Sequence, residues 1–236
     1  MNVYLQTLFA PIITTLLFYF IFSLSVGNQI KLINGTSFMM FLAPGLVMMS
    51  MMQNGFSNPS SSMITSKIMN NIRDVIIAPL NPHELVIGYM VGGIVRGLII
   101  GTIAILVFYS FGLVQFYNLW VALLYAILGT AFLSLLGIIG GIWSEKFDQL
   151  AAITNFVITP MTFLSGTFYT IDHLPHYIQN IAAYNPFFFI IDGFRYGFIG
   201  HAESNLLFGL DYLMIINLCL YLISYFMFKT GYKLKN

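Results

Sequence analysis

Residues 86–112 read VIGYMVGGIVRGLIIGTIAILVFYSFG, an apolar run whose only charged side chain is Arg96. About 20 apolar residues are enough for an α-helix to cross the roughly 30 Å of hydrocarbon in a bilayer. The run lacks the alternation of apolar and polar residues that a membrane β-strand requires. A helix satisfies its own backbone hydrogen bonds in lipid. The stretch therefore predicts a membrane-spanning helix.

The composition extends this interpretation to the whole chain. Of the 236 residues, 58% are hydrophobic and 7% are charged, whereas about 25% of residues are charged in a typical soluble domain. Lys and Arg together number 9 against 8 for Asp and Glu, so no basic surface indicates a nucleic-acid partner. The sequence predicts one all-α polytopic membrane domain over residues 1–236.

Hydropathy and the positions of helix breakers predict six transmembrane helices. Their approximate ranges are 5–27, 37–57, 86–112, 118–143, 149–169 and 208–228. The first range lacks the basic n-region and the small-residue cleavage site of a signal peptide, so we expect it to be a retained span.

The longest polar segment, residues 63–85, lies between the second and third predicted spans. An isoleucine recurs there at every fourth position, which predicts one apolar helix face. These isoleucines are Ile64, Ile68, Ile72 and Ile76. The pattern favours a short amphipathic helix at the membrane interface.

The basic residues predict the orientation of the chain. If segment 63–85 is cytoplasmic, six Lys and Arg residues share its side and two lie opposite. The six are Lys67, Arg73, Lys146, Lys229, Lys233 and Lys235, and the two are Lys31 and Arg195. The positive-inside rule then places both termini in the cytoplasm.

Residues 170–200 combine short apolar runs with prolines and charges. Runs of this length fit re-entrant or outer interfacial helices better than a full crossing. Asp192 and Arg195 are three residues apart, so on a helix they are expected to pair and reduce the cost of charge near lipid.

Residues that could support catalysis are scarce. No G-x-x-x-x-G-K-[ST] pattern is present, so ATP would have to be hydrolysed by another chain. Pro175 separates His173 from His176, and no Cys or acidic cluster completes a metal-ligand set. We expect neither catalytic activity, nor a metal site, nor a cofactor on this chain.

Arg96 is the most unusual residue of the predicted spans, because an unpartnered cation in the membrane costs several kcal/mol. It either faces the bundle interior as a gate or subunit contact, or extends along its helix to the headgroups. Glycines that allow close helix packing surround it, and a second stripe of small residues follows. The stripes are Gly93, Gly97 and Gly101, and Ala126, Thr130, Ser134, Gly137 and Gly141.

The fifth predicted span carries Asn155, Thr159 and Pro160. Its polar groups either line a substrate path or only bond to neighbouring helices. Pro160 lacks a backbone donor and is expected to bend or open the helix.

Two regions of the sequence, 144–198 and 73–99, resemble a known family. Residues 144–169, SEKFDQLAAITNFVITPMTFLSGTFY, and residues 171–198, IDHLPHYIQNIAAYNPFFFIIDGFRYGF, resemble the FLSG, NP and DGFRYG signature of type-2 ABC exporter permeases. Residues 73–99, RDVIIAPLNPHELVIGYMVGGIVRGLI, are similar to the cytoplasmic loop and third helix of those permeases.

The resemblance implies a transport subunit in the bacterial inner membrane that pairs with a second permease copy, expected to form a homodimer surrounded by membrane lipid. Two ATP-binding subunits would bind ATP and Mg and contact residues 63–85, which the resemblance makes the coupling segment. The implied coupling residues are Lys67, Asn70, Asn71, Arg73, Asp74 and Pro79. The pathway or gate candidates are Arg96, Asn155, Thr159, Pro160, Asp192 and Arg195.

The expected function is ATP-driven export of an amphipathic, drug-like or glycan- or lipid-type solute. Two alternatives stay open. An ATP-independent carrier or channel would normally show ionisable residues in several spans. A lipid-modifying membrane enzyme would need an inward cluster of His, Asp or Glu, which the spans hardly supply.

Overall fold

The computed structural model describes residues 2–25, 27, 32–33, 35–72, 79–171, 179 and 184–234, with the backbone alone for residues 2–6. A two-stranded antiparallel hairpin, β1 (Leu32–Ile33) and β2 (Thr36–Ser37), connects the first two helices. The helices are α1 (Asn2–Ser25), α2 (Phe38–Ile68), α3 (Pro82–Ser110), α4 (Leu119–Trp143), α5 (Phe147–Ile153), α6 (Thr159–Phe163), α7 (Pro186–Ile199) and α8 (Leu206–Thr230).

Helix α2 forms the centre of the bundle. It begins at Ser37, whose hydroxyl accepts a hydrogen bond from the Met40 amide at 3.3 Å and so caps the helix. Most of its side chains from Phe38 to Ile64 are buried, against α1, α3, α4 and α7. Because α2 faces protein on nearly all sides, it tolerates Ser and Asn side chains that lipid would not.

Four helices are long and apolar enough to cross a membrane among the described residues. They are Thr7–Ser25, Pro82–Ser110, Leu119–Trp143 and Leu206–Thr230. The predicted second and fifth spans also lie on helical segments, but polar residues in α2 and the short pieces of the fifth keep them outside this group. An all-α polytopic architecture is therefore supported, and the count of six spans remains a prediction.

The predicted helix within segment 63–85 is in part a continuation of α2, which extends to Ile68. The side chain of Ile64 is fully buried, whereas that of Ile68 is 55% exposed, so the expected single apolar face is wrong for these two residues. The chain leaves the helix at Met69, and residues 73–78, including Arg73 and Asp74, lie outside the described residues. The coupling helix stays a prediction.

The fifth helical segment is irregular where Pro160 was expected to open it. A π-helical turn, Thr154–Ile158, separates α5 from α6, and the Thr159 amide donates to the carbonyl of Thr154, five residues back. π-helical turns of this kind commonly interrupt helices at functional positions.

Helix α7 is the described part of the predicted outer segment. Asn185 caps it by accepting from the Phe187 amide at 3.1 Å, and Pro186 occupies the first turn, where no backbone donor is needed. Gly200 ends it in the left-handed conformation, with φ at +72°. Nearly all of its side chains are buried, so α7 is a core element of the bundle.

Candidate functional site

The central contact of the bundle joins α2, α3 and α4 through small residues. A Cβ atom added at Gly93 would lie 2.1 Å from Ser134 Oγ and 2.7 Å from the Gly55 carbonyl oxygen. One added at Gly97 would lie 2.7 Å from Thr130 Cγ2. The glycines therefore permit the approach of the helix backbones, as the small-residue pattern predicted.

A backbone carbonyl in α2 is satisfied across this contact. Pro59 has no N–H, so it cannot supply the helical hydrogen bond to the carbonyl of Gly55, four residues earlier. Ser134 Oγ of α4 donates to that carbonyl at 3.1 Å, and the pair is buried. A side chain of one helix thus replaces a missing backbone donor in another.

Ser134→Ala is expected to destabilise the protein by about 1–3 kcal/mol, because it leaves a buried carbonyl without a donor. Pro59→Ala restores a backbone N–H at that position, so the cost of Ser134→Ala should shrink in the Pro59→Ala background. Thermal unfolding in detergent measures both costs. Ser110→Ala is the matched control, since Ser110 Oγ is exposed and bonds within its own helix. Equal costs in the two backgrounds would contradict the compensation.

At one end of the bundle, Arg195 of α7 is 1% exposed. Its guanidinium lies 3.7 Å from the centre of the Phe41 ring and donates from Nη2 to the Gly166 carbonyl at 2.6 Å. Nη1 lies 3.9 Å from Glu203 Oε1. Arg195 therefore joins α2, the turn after α6 and the loop after α7; we call this the Arg195 end.

Asp192 binds the same loop by separate contacts. Its carboxylate accepts from the Glu203 amide at 3.0 Å, the Ser204 amide at 2.8 Å and Ser204 Oγ at 2.6 Å. The predicted direct pair between Asp192 and Arg195 is wrong, because the ion pair of Arg195 is formed with Glu203. The two side chains line the same small cavity, but each makes its contacts to the loop after α7.

Asn185 connects α7 to the end of the fifth helical segment. Its Nδ2 donates to Ser165 Oγ at 2.9 Å, while its Oδ1 caps α7. Ser165 Oγ in turn donates to the carbonyl of Met161. The Ser and Asn side chains hold the short helices α6 and α7 together within the bundle.

At the opposite end, which we call the Lys67 end, α2, α4 and α8 all terminate. Lys67 Nζ donates to the carbonyl of Ile142 and, at 3.0 Å, to that of Ser144. These belong to the last turn of α4, whose carbonyls lack helical donors and attract cations. Lys67 thereby fastens the end of α2 to the end of α4.

Lys233 binds the same region from the C-terminal side. Its Nζ lies 3.3 Å from the Trp143 carbonyl and 3.4 Å from Glu145 Oε1. Burial lowers the pKa of the Lys67 amine below its usual value, Lys233 lowers it further, and Glu145 opposes both effects. Two lysines and one glutamate thus surround the end of α4.

Comparison with known proteins identifies the family. The family model described as "ABC-2 type transporter" matches residues 2–199. The chain belongs to the ABC-2 type transporter family. Membership implies association with an ABC ATP-binding subunit and supports a transport subunit rather than an enzyme.

Relatives of the ABC-2 chain extend over most of its length. It is 35% identical over 237 residues to the inner membrane transport permease YadH of Escherichia coli (strain K12). This match covers 100% of the present chain and 92% of YadH. It is 29% identical over 212 residues to nodulation protein J of Rhizobium leguminosarum bv. viciae, covering 87% and 78% respectively. These relatives and the apolar helices support a multi-pass protein of the inner membrane.

The predicted coupling residues of the ABC-2 chain lie at the Lys67 end where they are described. Lys67 is half-buried, Asn70 and Asn71 are exposed in the turn after α2, and Pro79 is exposed just before α3. The turn and α3 therefore present polar and proline residues on the surface of that end.

The predicted pathway residues do not form one site. Asp192 and Arg195 are buried at the Arg195 end, whereas Arg96 is half-buried in α3, with its Nη1 3.4 Å from Asn58 Oδ1 of α2. Asn155 and Pro160 are exposed, and Thr159 is partly exposed, on the irregular fifth segment. Their surfaces face away from the bundle of a single chain.

Two residues important to this architecture were not among the candidates derived from the sequence. Glu203 accepts from the Ile171 amide at 2.9 Å through Oε2 and faces Arg195 through Oε1. Its signal was weak, since it lies in a polar loop. Gly55 carried a clearer signal, because Pro59 four residues later identifies its carbonyl as a group that needs another donor.

Proposed function

We propose that this chain is the membrane subunit of an ATP-driven exporter and acts as a homodimer with two ATP-binding subunits. In this proposal the chain crosses the inner membrane six times, its termini and Lys67 end are cytoplasmic, and the ATP-binding subunits contact residues 67–79. ATP and Mg bind to those subunits. The solute is amphipathic, drug-like, or of glycan or lipid type.

The observation that carries this proposal is the continuity of α2. Its 31 residues correspond to about 46 Å of helix at about 1.5 Å per residue. Phe41 near its first turn contacts Arg195, and Lys67 in its last turn contacts α4. A force applied beside Lys67 therefore reaches the opposite end through one helix, consistent with ATP-driven movement of helix pairs.

The distribution of cations supports the proposed orientation. The lysines at positions 67, 146, 229 and 233 all lie at the Lys67 end, while Arg195 lies at the other. Cytoplasmic ends of membrane proteins carry an excess of Lys and Arg.

A groove between α1 and α2 supports a solute path. It encloses about 240 Å³ and mixes apolar side chains such as Phe18 and Leu46 with polar ones such as Thr14, Gln53 and Asn54. A mixed lining fits an amphipathic solute. In the fifth segment Phe156 is 82% exposed, and α1 exposes a broad apolar face, so a second copy can cover both surfaces.

The test is co-purification of this chain with an ABC ATP-binding subunit from the same bacterium. Arg73→Ala combined with Asp74→Ala should weaken the complex at least about tenfold, since a few contacts dominate most interfaces. Lys229→Ala is the matched control, because Lys229 is an exposed cation at the same end. A complex unaffected by the double change would overturn the proposed docking site.

Transport into inside-out vesicles separates the proposal from an ATP-independent carrier. The complex should accumulate a fluorescent amphipath only with ATP. Uptake by the permease alone without ATP would favour the carrier.

A further inference from the structure

The chain turns back on itself directly after α8. Gly231 takes the left-handed conformation, with φ at +67°, and its amide bonds the Phe228 carbonyl at 3.1 Å. The Tyr232 amide then bonds the Met227 carbonyl, and the Leu234 amide bonds the Gly231 carbonyl, both at 3.1 Å. Residues 231–234, which we call the C-terminal turn, are therefore an ordered structure rather than a helix end that simply stops.

The apolar side chain of this turn enters the bundle. Leu234 is 3% exposed and belongs to a buried cluster with Ile72, Met63, Ile142 and Phe228. Ile72 immediately precedes segment 73–78 and is itself 6% exposed. The C-terminal turn thus belongs to the same buried cluster as Met63 and Ile72 of the proposed coupling segment.

The polar side chain of the turn binds where Lys67 binds. Lys233 contacts the Trp143 carbonyl, between the two carbonyls at Ile142 and Ser144 that accept from Lys67. The ammonium group of Lys233 also lies 5.1 Å from the centre of the Trp143 ring. Cations from both α2 and the C-terminal turn therefore bind the carbonyls at the end of α4.

Backbone strain is concentrated at the same place. In the described part of the chain, the non-glycine residues with positive φ are Asn70 at 58° and Lys233 at 52°. Both line one cavity of about 240 Å³, together with Lys67, Ile72, Glu145 and Leu234. Non-glycine residues in the left-handed conformation are strained and persist where their surroundings fix them, often at functional sites. The two strained residues are distant in the sequence but line the same cavity.

We propose that the C-terminal turn is a positioning element for the coupling segment. Leu234 and Lys233 hold the stretch from Asn70 to Ile72 against the end of α4, so that a push on the segment moves α2 and α4 together. The positioning stands on the contacts of this chain, and its consequence for transport rests on the proposed function.

The first measurement uses the purified permease in detergent without an ATPase. In a Cys219→Ser background, an Ile72→Cys thiol should react slowly with a maleimide. Removing residues 233–236 should speed its labelling by roughly tenfold, because the local packing opens. Removing only residues 235–236 is the matched control and should leave the rate unchanged. Unchanged labelling after the longer removal would overturn the proposal.

Three further variants test whether general unfolding is the cause. A Ser224→Cys thiol, buried in α8 at 0% exposure, should stay protected in the shortened chain. Leu234→Ser should accelerate labelling at position 72, while Leu234→Met should not. Equal acceleration at positions 72 and 224 would contradict a local positioning role.

The second measurement uses the assembled complex. The chain lacking residues 233–236 should retain its ATPase partner but transport several-fold less solute per ATP hydrolysed, whereas the full-length Leu234→Met variant should keep the ratio of the intact chain. If labelling responds as expected but no ATPase binds the intact chain, the positioning role is supported and the proposed function fails. An unchanged transport ratio would overturn the role in coupling.

Discussion

Arg195→Ala is expected to lower the free energy of unfolding by about 3–5 kcal/mol, the usual cost of removing one partner of a buried ionic contact. The variant removes the contact of Arg195 Nη1 with Glu203 and the hydrogen bond from Nη2 to the Gly166 carbonyl. It also removes the guanidinium from the ring of Phe41. For a chain of this size the loss corresponds to roughly 10 °C in the unfolding midpoint, measured by thermal unfolding of the detergent-solubilised protein.

Arg96→Ala is the matched control for this expectation. Arg96 is also an arginine within the bundle, but it is half-buried and its contact to Asn58 is a weak hydrogen bond at 3.4 Å. Its loss should therefore cost no more than about 1 kcal/mol. If the two variants unfold at the same temperature, the Arg195 contacts do not hold the Arg195 end together.

Arg195→Lys should be less stable than the unchanged protein, as Arg195→Ala is. A lysine keeps the charge but lacks the planar group that stacks on Phe41 while donating to a carbonyl. The arginine group also fits its surroundings closely, since a Cβ added at Gly45 would lie 2.9 Å from Arg195 Nη2. Full recovery by lysine would mean that charge alone matters.

The sequence predicted helices well because hydropathy reports directly on burial in lipid. All six predicted ranges overlap helical segments, and the boundaries of α3 and α4 are close to the expected ones, but residues 164–169 of the fifth range are not helical. It failed for the length of α2, because residues 63–68 were predicted to belong to a separate helix at the membrane interface, whereas they continue α2. These residues are helical because the surrounding protein, rather than lipid, receives their side chains.

The sequence was less informative about the polar contacts. A spacing of three residues suggested that Asp192 pairs with Arg195, yet both bind a loop that approaches from outside α7. Contacts to residues distant along the chain are not encoded in local spacing. The glycine stripe was more reliable, because close helix approach requires the absence of a side chain whatever the partner.

The Arg195 end and the Lys67 end of the bundle are held by the same kind of contact. At each end an amine or guanidinium donates to backbone carbonyls of another segment, with Arg195 bonding Gly166 and Lys67 bonding Ser144. Such contacts fix segments that have no extended packing surface of their own. Helix α2 contributes to both clusters, through Phe41 at one end and Lys67 at the other, so it joins the two ends of the bundle physically.

Gly93→Ala is expected to destabilise the protein by about 1–3 kcal/mol, the cost of overpacking a filled core. The new methyl group would lie 2.1 Å from Ser134 Oγ and 2.7 Å from the Gly55 carbonyl oxygen. The serine can rotate, but the carbonyl belongs to the backbone of α2 and cannot move without displacing that helix. The unfolding midpoint in detergent measures the loss.

Gly88→Ala provides the control within the same helix. No atom lies within 4 Å of a Cβ added at Gly88, so this change should be neutral or slightly stabilising through helix propensity. Combining Gly93→Ala with Ser134→Gly should recover at most part of the loss, because the clash with Ser134 disappears while the one with the Gly55 carbonyl persists, and that carbonyl also loses its hydrogen-bond donor. Complete recovery would show that the added methyl group collides only with Ser134 of α4 and not with the backbone of α2.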